Sequence, residues 1–299
     1  MHTVGELLRQ WRHRRRLSQL DLAIAADVSA RHVSLVETGK SNPSADMVLR
    51  LADQLDVPLR ERNRLLLAAG FAPRYAERPP GGEALSTAWG AVERVLRAHE
   101  PYPALVHDRR WNIVMSNRAL DPFLADVAPD LLRPPINLVR LGLDPRGLAP
   151  RIVNLAEVRA VLRVRIGRQL AAAPDPELAA LYEELLAPGP GDVSRPVESE
   201  VVISMIFRFG ARELRLFSTT TTFGTPMDIT LDEIAIESYY PVDAESAAYF
   251  TKAGAQAGRS GVEAVARHDH VLPHVQVAEA HRPPRAGHPV DVDAGLRQP

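Results

Sequence analysis

Apolar residues in the first 70 positions recur at helical spacing. Val4, Leu7, Leu8 and Trp11 fall at i, i+3, i+4 and i+7, one face of a first helix. In "LSQLDLAIAAD", Ser18 is placed to cap a second helix, and Leu17 and Leu22 to close over its start as a hydrophobic staple. The device repeats in "VSARHVSLVETG", with Val28, N-cap Ser29 and Val33, and Gly39 as the stop. Ser44 caps a fourth helix in "NPSADMVLRLADQLDV", and Pro58 starts a fifth that ends near Gly70.

The pattern then changes. "FAPRYAERPPGGE", residues 71–83, reads as a linker on its Pro and Gly content. A helix is expected from about Glu83 to His99, then two strand-like runs, "PALVHD" and "RWNIVMSN", turning at "HDRR". Residues 117–190 read as mostly helical, notably "VNLAEVRAVLRVRIGRQLAAA" and "PELAALYEELLA". "ESEVVISMIFRFG", "RELRLFSTTTTF" and "ITLDEIAIESYYP" are rich in β-branched and aromatic residues and read as strands. From about Ala253 periodicity ends, and residues 251–299 are expected to form a disordered tail. The expected architecture is an all-α five-helix domain over 1–70, the linker, and an α+β domain with an antiparallel sheet over 84–250.

Composition narrows the function. A chain of 299 residues with 45% apolar and 24% charged content is ordinary globular material, long enough for two domains. The absence of cysteine removes disulfides, zinc–thiolate sites and thiol nucleophiles. The N-terminus is charged throughout, and no run approaches the ~18 apolar residues of a membrane span, so a cytoplasmic protein without membrane contact is expected. Residues 1–75 hold 12 Arg and Lys against 8 Asp and Glu, while the rest is net negative. That asymmetry suggests a polyanionic partner for the first domain.

The second and third helices have the spacing of a helix–turn–helix. Ala23 is the small residue where they touch, Asp27 sits in the turn, and Val33 and Val36 are apolar anchors. Ala30, Arg31, Ser34 and Leu35 are left on the outer face, free to enter a major groove. Residues 3–70 resemble the XRE family of lambda-repressor-like regulators. That resemblance implies a homodimer on double-stranded operator DNA. It sets Gln19 near a phosphate, Ala30, Arg31 and Leu35 at bases, and Thr38, Lys40 and Ser41 near backbone. Ser29 and Ser34 complete the DNA-facing set. Asp27 departs from the family's usual Gly at little cost, since Asp tolerates the left-handed conformation. A guanidinium such as that of Arg31 can read guanine O6 and N7 for about 1–3 kcal/mol of discrimination. The run "RHRRR", residues 12–16, is expected to end the first helix and add only nonspecific attraction.

Catalytic chemistry finds little support. His99, His107 and Asp108 invite a dyad reading, yet His107 and Asp108 stand where a strand enters a turn and polar residues belong. No GxSxG, HExxH, Walker or GxGxxG motif occurs. His268, His270 and His274 lie in the aperiodic tail and suit a solvated segment better than a metal site. Neither an enzyme nor a cofactor is expected.

In the second domain, Val201, Ile203, Met205, Phe207 and Phe209 alternate onto one strand face, and Trp111, Ile113 and Met115 do so on another. A sheet lined this way builds either a plain core or an apolar pocket. "HEPYPALVHDRRWNIVMSNRAL" and "FGTPMDITLDEIAIESYYPVD" resemble the ligand-binding domain of the MmyB-like branch of the XRE family, a PAS-like fold. The resemblance implies a transcription factor whose pocket takes a small apolar molecule, with fatty acids one plausible class. The candidate lining is Trp111, Ile113, Met115, Ile203, Met205 and Phe207, and the lip Glu237, where the family also carries Glu. In the same stretch Asp228 and Thr230 are expected to bond local backbone, and Asp232 and Glu233 to mark a bend or solvent face. The alternative is a second domain that only dimerises or binds a protein.

Overall fold

The computed structural model describes residues 2–80, 82–189 and 203–260. Five helices build the first domain: α1 (Val4–Arg14), α2 (Gln19–Ala25), α3 (Ala30–Glu37), α4 (Ala45–Gln54) and α5 (Leu59–Ala68). Hydroxyl caps set four of their starts: Thr3 accepts from the Glu6 amide at α1, and three serines do the same for α2 to α4. Ser18 accepts from the Asp21 amide, Ser29 from His32 and Ser44 from Met47, each worth about 1 kcal/mol. Asp27 takes a left-handed φ of 52° in the turn between α2 and α3. Ala23, Val33 and Val36 are buried in the resulting core together with Trp11, Leu22 and Leu51.

The basic run at the end of α1 does more than end the helix. Arg12 is buried and grips Glu37 of α3 through two bonds, Nε to Oε1 at 2.7 Å and Nη2 to Oε2 at 2.9 Å. Arg15 donates to the carbonyls of Leu55 and Asp56, satisfying the end of α4. Two of these arginines therefore hold the domain together, contrary to the expectation of nonspecific attraction alone.

The second domain runs α6 (Ser86–Ala98), β1 (Ala104–His107), β2 (Ile113–Ser116), α7 (Asp121–Leu124), α8 (Leu138–Leu143), α9 (Leu155–Ala172) and α10 (Pro176–Leu185). It continues with β3 (Met205–Phe209), β4 (Arg212–Thr221), α11 (Ile229–Asp232), β5 (Ala235–Pro241) and α12 (Ala244–Ser260). All strand pairs are antiparallel in the order β2-β1-β5-β4-β3, giving the expected α+β, PAS-like arrangement. Trp89, Val92 and Leu96 of α6 cover the face formed by Ala104, Val106 and Ile236. The opposite face, with Leu105, Phe207 and Leu216, is covered by the helical insert and by Phe250 of α12.

Four details differ from the sequence pattern. Ile229–Asp232 is a helical turn capped by Asp228, whose Oδ1 accepts from the Thr230 amide at 2.9 Å, so strand β5 starts later than "ITLDE" suggests. Helix α12 continues to Ser260, past the expected domain end at 250. The Pro-rich passage after α5 is pinned: Asn63 Oδ1 accepts from the amides of Arg74 and Tyr75, and Ala76 pairs with Asp228. Finally, the register of β1 against β2 shifts between Val106 and His107, pairing His107 with Ile113 and Val106 with Met115. This bulge inserts one residue and reverses the alternation of faces. Ile113 therefore packs on the Leu105 side, while Val114 and Met115 pack against the α6 side. The tail from 261, with His268, His270 and His274, and the start of the strand run including Val201 lie outside the described residues.

Candidate functional site

The DNA-facing set is divided by what its side chains already do. Arg31 and Lys40 are exposed, while Ala30, Ser34, Leu35 and Ser41 are half-buried around the same helix end. Ser29 is occupied as the α3 cap, and Thr38 Oγ1 donates to the Ser34 carbonyl at 2.7 Å. Gln19 Nε2 donates inward to Glu37 Oε2 at 2.8 Å. Its amide is thus tied to the buried Arg12–Glu37 pair, which also locks α3 against α1. Arg12 holds the Glu37 carboxyl below its ordinary value although burial pushes it up. The ionised pair ties α3 to α1 beside the apolar contacts of Val33 and Val36.

The second site is a cavity of about 120 Å³ between the sheet and the helical insert. Leu105 of β1, Phe123 of α7, Leu138 and Leu141 of α8, and Val158 and Leu162 of α9 form much of its wall. Of the residues picked out by pattern, Trp111, Ile203, Met205, Phe207 and Glu237 line it. Ile113 and Met115 do not; the bulge turns Met115 to the opposite side of the sheet. The helical contributors were missed because their apolar residues occupy several faces of α8 and α9, so no stripe singles out the pocket side. Arg165 was missed too, although a charged residue inside the apolar run "VLRVRIG" is a signal of a buried partner.

That partner is Glu237. Arg165 Nη1 donates to Oε1 at 2.8 Å and Nη2 to Oε2 at 3.0 Å, a bidentate ion pair across 72 residues of sequence. Ser218 Oγ donates to Oε1 at 2.6 Å, and Thr220 Oγ1 donates to Oε2 at 3.1 Å. Burial works to raise the Glu237 carboxyl, but the Arg165 and Ser218 bonds outweigh it and hold it below its ordinary value. Arg165 lies with its guanidinium carbon 4.8 Å from the Trp111 ring centroid, and His107 stacks on the same ring at 4.7 Å with 10° between planes. His107 Nδ1 donates to the Asp108 carbonyl at 2.8 Å, so neutral His107 leaves Nε2 as an acceptor, buried without a hydrogen bond and 4.0 Å from Glu237 Oε2. Burial pushes this imidazole below its ordinary value. The result is an apolar cavity with one polar end, electrically neutral as a pair.

Trp111 is held under strain, with φ of 66° in a bulky residue. Asp108 enforces the turn by accepting from the amides of Arg110 and Asn112. Trp111 Nε1 also donates to Gln169 Oε1 of α9 at 3.1 Å. Strain concentrated on a pocket wall is a feature of ligand clamps and switch regions.

Among the described residues no group of three or more His, Asp or Glu is arranged to hold a metal ion, and no helix is long and apolar enough to cross a membrane. Comparison with known families accounts for both domains. Residues 90–253 match the family described as the MmyB-like transcription regulator ligand binding domain. Residues 3–65 match a helix-turn-helix domain. No curated protein matches the chain.

Proposed function

We propose a function from one premise: the chain belongs to the family of MmyB-like transcription regulators, and it carries a DNA-binding helix–turn–helix beside the ligand-binding domain. As a homodimer it reads operator DNA with Arg31, Ser34, Leu35 and the start of α3, while Gln19, Thr38, Lys40 and Ser41 lie along the phosphates. The second domain takes a small apolar molecule into the cavity under the sheet, with a fatty acid one class that fits an apolar body and a polar end. The observation that carries this reading is the cavity lining, apolar apart from Ser204 and the end formed by Arg165, Glu237 and Ser218.

Magnitudes constrain the ligand. A void of about 120 Å³ is near the ~150 Å³ that holds a benzene-sized guest. A longer chain therefore parts the walls as it enters. Burial returns about 0.8 kcal/mol per methylene. A near-complete switch between two arrangements of the dimer needs about 5.5 kcal/mol of differential binding. Some seven methylenes buried in one arrangement only would supply it.

Gly142 on α8 provides the test. It lines the cavity, and a Cβ built there meets no atom within 4 Å. Gly142→Leu can therefore fill the space without straining the backbone. The expected result is at least a tenfold loss of affinity for dodecanol or dodecanoate, equivalent to ~1.4 kcal/mol, with operator affinity in the absence of either probe unchanged. Unaltered probe binding in this variant would place the ligand elsewhere.

A further inference from the structure

We infer that the turn at residues 108–111 relays occupancy of the cavity to the DNA-binding domain through Arg109 and Glu233; this regulation rests on the ligand reading above. Trp111 and Arg109 sit two residues apart on one turn and face different parts of the molecule. Trp111 lines the cavity. Arg109 Nη2 lies 3.1 Å from Asp175 at the start of α10, and its Nε lies 3.5 Å from Glu233 Oε2. Gln169 joins the two ends of the turn, since it accepts from the Trp111 indole and donates to the Arg109 carbonyl. A guest that moves the Trp111 wall therefore moves Arg109.

Glu233 carries the connection across the domain boundary. Arg60, on the first turn of α5, donates to Glu233 Oε1 at 2.7 Å and Oε2 at 2.9 Å. Arg60 also pairs with Glu77 of the Pro-rich passage. One residue earlier, Asp232 Oδ2 accepts from the Leu59 amide at 3.1 Å, at the start of the same helix. Asp232 and Glu233 thus dock the helix–turn–helix domain, where the sequence pattern suggested a bend or solvent face. Glu233 is also four residues before Glu237 at the cavity's polar end and two before the start of β5, so the chain itself is a second link between the two places.

The chemistry of this clasp suits a switch. It is built from partly exposed ion pairs and one backbone bond, which exchange partners at low cost, whereas an apolar interface would resist small shifts. Arg109 stands between two carboxylates, Asp175 inside the second domain and Glu233 on the clasp, and a small displacement decides which it favours. Two discrete arrangements biased from both ends are what coupling requires.

The test uses the full chain, an operator fragment recovered by footprinting, and dodecanoate as the probe. In the wild-type chain, saturating probe shifts operator affinity by about tenfold, within the usual range for coupled sites. Arg109→Gln and Glu233→Gln each retain probe binding, and the shift falls below about twofold. Arg146→Gln removes an exposed pair with Asp130 and Asp144 outside the relay and keeps the full shift. A full-size shift in both clasp variants overturns the relay and leaves the ligand reading standing. Probe binding without a shift in the wild-type chain overturns the relay, whereas no probe binding at all defeats the ligand reading and the relay with it. If the variants do not fold, hydrogen exchange on the wild-type chain decides. Probe binding must alter protection at residues 108–112 and at 58–64 together; a change confined to the first segment overturns the relay.

Discussion

Glu237 shows how much one residue's environment decides. It stands in an apolar strand and is almost fully buried, yet it stays ionised because Arg165, Ser218 and Thr220 satisfy it. Its depressed value means that its stabilisation is fully present above the ordinary 4.5 and is lost as pH falls through the lower folded value. His107 acts in the same direction for a different reason. Its ring is held neutral below the ordinary 6.5, so under more acidic conditions the unfolded chain takes up a proton that the folded chain resists. Melting temperature should therefore decline from about pH 6.5 downward. His107→Gln should flatten the decline between 6.5 and 4.5, and Glu237→Gln the part below 4.5. Melts followed across that range check this, and identical slopes in all three proteins would exclude it. In sequence, His107 looked like polar punctuation of a sheet, while Glu237 stood out inside an apolar strand as a pocket-lip candidate. Their roles come from Arg165 and Trp111, which arrive from other elements.

At the scale of elements, the short helices were legible because their signals are local. A cap reaches three residues, a staple spans five, and a left-handed turn residue acts where it stands. Helix α3 follows from this: Ser29 starts it, Val33 and Val36 bury it, and Arg31 is left exposed. Arg31→Ala should cost about 1–3 kcal/mol at a preferred operator and leave weak binding to scrambled DNA nearly intact. Titrations of both DNAs at one salt concentration measure the difference; equal losses would make Arg31 a phosphate contact. The sheet was less legible. The β1–β2 hairpin was evident from its alternating apolar runs, but the bulge that sends Met115 to the α6 side leaves no mark in the pattern. Helices α8 and α9 bury residues on more than one side, so periodicity could not say which of them face a cavity.

At the scale of the whole molecule, the proposed regulation couples the two domains, and the proposed homodimer couples two copies. Dimeric helix–turn–helix proteins place their recognition helices about 34 Å apart, one turn of DNA. The chain should accordingly bind a two-fold-related operator as a dimer, with a titration steeper than a single-site curve. Native mass spectrometry of the complex checks the stoichiometry, and a single chain per operator would refute it. Sequence alone determined the two domains, the helix starts, the helix–turn–helix spacing and the apolar character of the second sheet, because each depends on residues within a few positions of one another. Tertiary structure decided the rest. It brought Arg165 to Glu237 across 72 residues, and Arg60 to Glu233 across 173. It turned Asp232 and Glu233 of "ITLDEIAIESYYP" into a domain clasp, and it gave Glu237, already expected at the pocket lip, its partner. Those assignments depend on which distant side chain occupies the space opposite, and local pattern carries no information about that.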